Sequence, residues 1–160
     1  MKTLIVYYSL SGTTQIVATA LASEIGADLE QLQCNRYAPG VLGYIRAATD
    51  SWKGMLPAIA TISRELPRYD LVVVAGPIWA FRAAAPIRAF VAAQREKLPR
   101  VAFLLTHGGS AAEQSLQELE AMLGHSPVAT LVVREVDVKA QRYSTALSAF
   151  AKQLQRAEAA

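Results

Sequence analysis

The sequence predicts an α/β fold, a three-layer sandwich on a five-stranded parallel sheet. Three observations carry that expectation. Short β-branched runs alternate with longer stretches whose apolar residues recur in threes and fours, the alternation of strand and helix that builds a parallel sheet. The first, third and fourth short runs are apolar at nearly every position, as strands covered by helices on both faces must be. At 160 residues, 52% hydrophobic and 18% charged, the chain has the usual length of one domain and enough apolar side chains for a core.

The first strand is expected over residues 3–8, where Leu4, Ile5 and Val6 lead into two tyrosines. A helix follows over 13–25, with Ile16, Val17, Ala20 and Leu21 on one face, and a second strand over 29–33. Residues 35–68, punctuated by Pro39, Gly40, Gly43, Gly54, Pro57 and Pro67, are too many for a simple turn. Within them Val41, Ile45, Ala48, Trp52 and Met55 recur at spacings of four, three, four and three, which predicts a helix over 42–55 with Arg46, Asp50 and Lys53 off the stripe. The stripe is expected to pack on the sheet; a dimer contact or a wall of the ligand site are the alternatives. The third strand is expected over 71–76 and its helix over 84–97, carrying Ile87, Phe90 and Val91. The fourth strand, 101–106, precedes a helix over 113–123 with Leu116, Leu119, Met122 and Leu123 on one face. An unbroken fifth strand over 129–136 and a last helix over 139–156, with Leu147, Phe150 and Leu154, complete the order. No linker or repeat interrupts it, so one domain spanning residues 1–160 is expected.

Composition removes several classes. The opening apolar run stops at Ser9, too short for a secretory signal, and the longest runs, 71–75 and 78–81, fall far below the roughly 18 residues of a membrane span. Cys34 is the single cysteine, and with two histidines it leaves no zinc spacing and no internal disulfide; a soluble protein of the reducing cytoplasm is expected. The net charge is +3 and the pI near 9.2, but the basic residues are scattered singly, so no nucleic-acid partner is expected.

In an open parallel sheet, ligands bind outside the carboxyl ends of the strands. Three loops lie there: 9–14, 77–83 and 107–113. The first reads Ser9-Leu10-Ser11-Gly12-Thr13-Thr14, four hydroxyls and a glycine between a strand and a helix. Such a loop suits a phosphate monoester, because helix N-terminal amides and hydroxyls can donate to it and Gly12 lets the backbone approach. At about 1.5–3 kcal/mol per hydrogen bond to a charged group, four or five contacts suffice for micromolar binding.

These residues resemble the phosphate loop of the flavodoxin family, Thr/Ser-x-Thr/Ser-Gly-x-Thr, which residues 9–14 match in full. The resemblance extends over nearly the whole chain and implies the strand order 2-1-3-4-5 and bound FMN. A second stretch, Gly76-Pro77-Ile78-Trp79-Ala80 continuing through Phe81 and Arg82 and then Pro86-Ile87-Arg88-Ala89-Phe90, looks like the family loop that runs along the isoalloxazine edge. The unbroken fifth strand is similar to that of short-chain members. Trp79 offers an aromatic face on that loop, with a buried core position as the alternative. In the third loop, His107-Gly108-Gly109-Ser110 supplies permissive backbone, and His107 could place positive charge near a reduced flavin.

Other chemistries fit the same loops poorly. A phosphoacceptor domain needs acids after the first strand and an Asp ending the third, where this chain has Tyr8-Ser9 and Ala75-Gly76. Gly108-Gly109-Ser110-Ala111-Ala112 lacks the last glycine of a nucleophile elbow, and Glu118, Glu120 and His125 lie in or after the next helix. Cys34 has no Arg six residues on, and neither dinucleotide glycine fingerprint occurs. The resemblance implies electron carriage through bound FMN, but flavodoxins that carry electrons are typically acidic, so the basic pI keeps open NAD(P)H-dependent reduction of a quinone or other small-molecule acceptor, with Arg82 or Arg46 as an anion contact; a non-flavin module that binds a phosphate ligand is the remote alternative. The expected partner is thus a redox protein or a small acceptor, and the protein a monomer or dimer.

Overall fold

Alternation within each strand divides the core into two layers. The structure is a computed structural model that describes residues 1–109 and 111–159. Its parallel strands are β1 (Thr3–Tyr7), β2 (Asp28–Gln31), β3 (Leu71–Trp79), β5 (Arg100–His107) and β6 (Ala129–Arg134), and a two-residue β4 (Arg82–Ala83) folds back antiparallel on β3. The order is β2-β1-β3-β5-β6, with Ile5 beside Val73, Val73 beside Ala102, and Leu104 beside Leu131. The three runs expected at the centre are there, and the expected five strands gain a sixth through β4.

Leu4, Val6, Val72, Val74, Phe103 and Leu105 face one layer, closed by α2 (Val41–Trp52), α3 (Ala85–Gln94) and α4 (Ala112–Leu123). Ile5, Val73, Ala102 and Leu104 face the other, closed by α1 (Thr13–Ile25) and α6 (Ser144–Ala159) through Val17, Leu21, Phe150 and Leu154. Each large side chain buried this way contributes about 1.5–3 kcal/mol. Gly76 sets how closely α3 approaches β3: a Cβ there would lie 2.3 Å from Ile87 Cγ1, itself fully buried. Gly76→Ala is therefore expected to cost about 1–3 kcal/mol in chemical denaturation, the price of overpacking a filled interior.

Several boundaries differ from expectation, β2 over Asp28–Gln31 in place of 29–33 and α2 ending at Trp52 in place of 55 among them, and four others have a local cause. β3 runs on to Trp79 because residues 78–79 pair with β4, and the turn between them places Ala80 and Phe81 at φ of 45° and 69°, the left-handed pair of a tight hairpin. β6 ends at Arg134, not at 136: Glu135 opens the short helix α5 (Glu135–Lys139), held by Glu135 with Lys139 at 2.7 Å and by Arg134 Nε donating to Asp137 at 2.8 Å. The last helix starts at Ser144, since Gln141, left-handed at φ 55°, breaks the chain between α5 and α6. α3 stops at Gln94, short of the expected 97, where the amides of Lys97 and Leu98 both bond the Gln94 carbonyl.

α2 corrects a larger expectation. Its predicted apolar stripe does not pack on the sheet: Val41, Ile45 and Trp52 point outward, and Ala47, Asp50 and Ser51 point inward. Asp50 is the cause. Its carboxylate is buried and accepts hydrogen bonds from the Arg36 guanidinium and from the Tyr37 hydroxyl at 2.9 Å, and an ion this deep must face its partners.

Candidate functional site

The carboxyl ends of β1, β3 and β5 open into a cleft of about 250 Å³. Ser11 and Thr13 line it from the first loop, Pro77, Ile78 and Trp79 from β3, and Thr106, His107 and Gly108 from β5 and the turn after it. Tyr44 of α2 and Glu135 of α5 complete the lining; neither was legible as a site residue, since each comes from an element whose placement depends on tertiary contacts.

The first loop is built to leave donors free. Gly12 is the N-cap of α1 at φ 93°, a conformation that favours glycine, and a Cβ there would meet nothing within 4 Å. No side chain caps α1 and no acid sits in its first turn, so its leading amides and the positive end of its dipole are open to an anion. Of the four hydroxyls, Ser11 and Thr13 sit together in the cleft, with their oxygens 3.3 Å apart. The other two are turned to the fold. Ser9 Oγ accepts the Gly12 N–H at 3.1 Å, and the buried Thr14 shares a 2.7 Å hydrogen bond with Thr106, tying α1 to β5. Leu10 packs on the core.

Trp79 both lines the cleft and closes the core beneath it. Its ring meets Tyr8 edge-on at 5.5 Å and Tyr37 edge-on at 5.4 Å, so the Tyr37–Asp50 hydrogen bond holds one side of the indole in place. Burial pushes the Tyr8 phenol up to about 12, and burial together with the Asp50 carboxylate raises that of Tyr37 further, so both stay neutral hydrogen-bond donors. Hydrogen bonding to Arg36 holds Asp50 below the usual carboxylate range.

Ala80, Phe81 and Arg82 are not in this cleft. They border a separate depression with Trp52, Gln114 and Glu118, where Arg82 is tied to the Glu118 carboxylate by both Nε and Nη2. Gly109 is exposed beyond the cleft lining, and Ser110 lies outside the described residues.

Two observations make the cleft suit a phosphorylated flavin. Ser11 and Thr13, at the uncapped start of α1, line it with hydroxyl donors, and His107 Nδ1 is buried with no hydrogen-bond partner among the described residues, a polar atom open to a ligand group. Glu135 brings a negative charge to the same cleft, and Lys139 at 2.7 Å offsets it.

The comparisons agree with this architecture. The family model described as Flavodoxin matches residues 2–132. No curated protein matches the chain. Among solved structures, a flavoprotein from Lactobacillus acidophilus NCFM in complex with FMN is 24% identical, with a TM-score of 0.70 over 89% of this chain and 98% of that one. A flavodoxin from the domain Archaea, 18% identical, reaches 0.52 over 97% and 99%. An NADH:FMN oxidoreductase in its apo form, 16% identical, also reaches 0.52, over 94% and 89%. At these identities the likeness is one of fold, and it is equal for the archaeal flavodoxin and for the NADH:FMN oxidoreductase. Among the described residues, no helix is long and apolar enough to cross a membrane.

Proposed function

The chain belongs to the flavodoxin family, and we propose that it holds FMN in the cleft above β1, β3 and β5 and carries electrons through it. The observation that carries this reading is the meeting, in one cleft, of the uncapped α1 N-terminus, the Ser11 and Thr13 hydroxyls and the unpartnered His107 Nδ1. Bound FMN supplies the electron chemistry, taking up and releasing one or two electrons, so no protein nucleophile is required. Ser11, Thr13 and the leading amides of α1 bind the phosphate. Trp79, braced by Tyr8 and Tyr37, provides an apolar wall that limits water, and His107 offers Nδ1 to a polar group of the ligand. A cytoplasmic location fits the lone, buried Cys34 thiol.

Carriage is favoured over NAD(P)H-dependent reduction by Arg82. As a free cation beside the ring loop it would suit the phosphate of a nicotinamide dinucleotide or an anionic acceptor, but Glu118 already occupies its guanidinium. The physiological partner on this reading is a redox protein, with a small-molecule acceptor second. Anaerobic mixing of the FMN-loaded protein with NADH and with NADPH, followed in the visible spectrum beside a dithionite titration, separates the two. Two resolved one-electron steps with dithionite and no bleaching by either nicotinamide are expected. Rapid stoichiometric bleaching by NADH or NADPH would make the protein a reductase.

A further inference from the structure

We propose that the outward face of α2, extended by Phe81, is a self-association surface on which a second copy of this chain docks about a two-fold axis, helix against helix. Val41, Leu42, Ile45, Trp52 and Phe81 are all large, apolar and exposed, from 57% at Ile45 to 83% at Leu42. They form one surface: Val41, Ile45 and Trp52 share a helix stripe, Leu42 adjoins it, and Trp52 and Phe81 border the same depression.

The pattern fits another helix. Val41, Ile45, Ala48 and Trp52 follow one another at intervals of four, three and four, the seam of a two-helix packing at shallow angle. In an antiparallel pair the two ends of the stripe meet, Trp52 over Val41, and the small Ala48 near the middle lets the backbones approach. With about 100° of rotation per residue, Lys53 falls about 110° and Arg46 about 130° from the centre of the stripe, so the seam itself carries no charge. A second copy is the occupant that such a face suits, because an isologous contact pairs the apolar stripe with itself and leaves both basic residues on a solvated rim.

The area is also of the right size. Two aromatics worth about 150–250 Å² each when buried, with three aliphatics, bring the patch to roughly 600 Å², the upper end for the surface of a monomer. With the rim that packing adds, it approaches the roughly 800 Å² per partner of a stable interface. The fold does not hide the stripe because Asp50 commits the opposite face of α2 to Arg36 and Tyr37.

Sedimentation of the FMN-loaded 160-residue chain over a range of micromolar concentrations tests the proposal. A species of twice 17.2 kDa is expected, lost in Ile45→Asp while the far-UV circular dichroism keeps its wild-type shape. Independently, mild oxidation of Ala48→Cys should yield a cross-linked dimer, with Lys53→Cys and the wild type, whose Cys34 is buried, giving none. A single-chain mass throughout, which would leave the face to a chain of different sequence, overturns the proposal. So does a dimer that persists in Ile45→Asp and fails to cross-link through Ala48→Cys.

Discussion

Replacing Asp50 with alanine is expected to lower the free energy of unfolding by about 1–3 kcal/mol, because it leaves the buried Tyr37 hydroxyl without its acceptor and breaks a part-buried ion pair with Arg36. The low end of that range reflects Arg36, whose side chain is 31% exposed and partly hydrated. The damage should spread along the chain of contacts. Tyr37 loses its acceptor, Trp79 loses the fixed neighbour on one side, and α2 loses the reason for its orientation, so affinity for FMN and riboflavin should fall together. The pH dependence has a definite sign. Arg36 holds the Asp50 pKa below its unfolded value, so the contribution is fully present above the ordinary carboxylate pKa of about 3.9 and is lost as pH falls through the lower folded value. Urea titrations of wild type and Asp50→Asn should therefore differ fully near neutrality and converge as the solution is acidified below about pH 4. A gap unchanged by acid would mean that the Asp50 charge contributes nothing.

Ser11→Ala and Thr13→Ala are each expected to weaken FMN by about 1–3 kcal/mol, and the double variant by about 2–5 kcal/mol, roughly thirty- to several-thousandfold. Riboflavin, which lacks the phosphate, should bind all three variants as it binds the wild type. The distinction follows from the loop: these two hydroxyls reach the cleft, and Ser9 and Thr14 are engaged in the fold. Trp79→Ala provides the contrast, weakening both ligands by one factor because it removes a wall shared by the ring. Fluorescence titration of each apoprotein with the two ligands measures the difference, and equal losses for FMN and riboflavin in the loop variants would place the phosphate elsewhere.

The central strands were legible because burial on both faces leaves β1, β3 and β5 almost no polar positions. Loop 9–14 was legible because four hydroxyls in six residues exceed what a helix cap requires. The orientation of α2 was not. Periodicity identifies an apolar stripe but not which side of the helix turns inward, and here a single acid paired with Arg36, fourteen residues earlier, outweighs Val41, Ile45 and Trp52. The pairing of Arg82 was not legible for a similar reason: its partner Glu118 lies 36 residues away on α4, and a charge beside a ligand loop looks free until the fold brings its counter-ion. The strand order came from the family resemblance, because local pattern specifies strands but not their neighbours.

Backbone amide NMR of the apoprotein titrated with FMN addresses the binding cleft most directly. Large shifts are expected at Gly12, Thr13 and Thr14, where the uncapped end of α1 meets the phosphate, and at Ile78, Trp79, His107 and Gly108 around the ring. Riboflavin should reproduce the second group and leave the first nearly unmoved. Shifts confined to the Trp52, Phe81 and Arg82 depression, or no saturable shift at residues 12–14, would contradict FMN binding at this cleft.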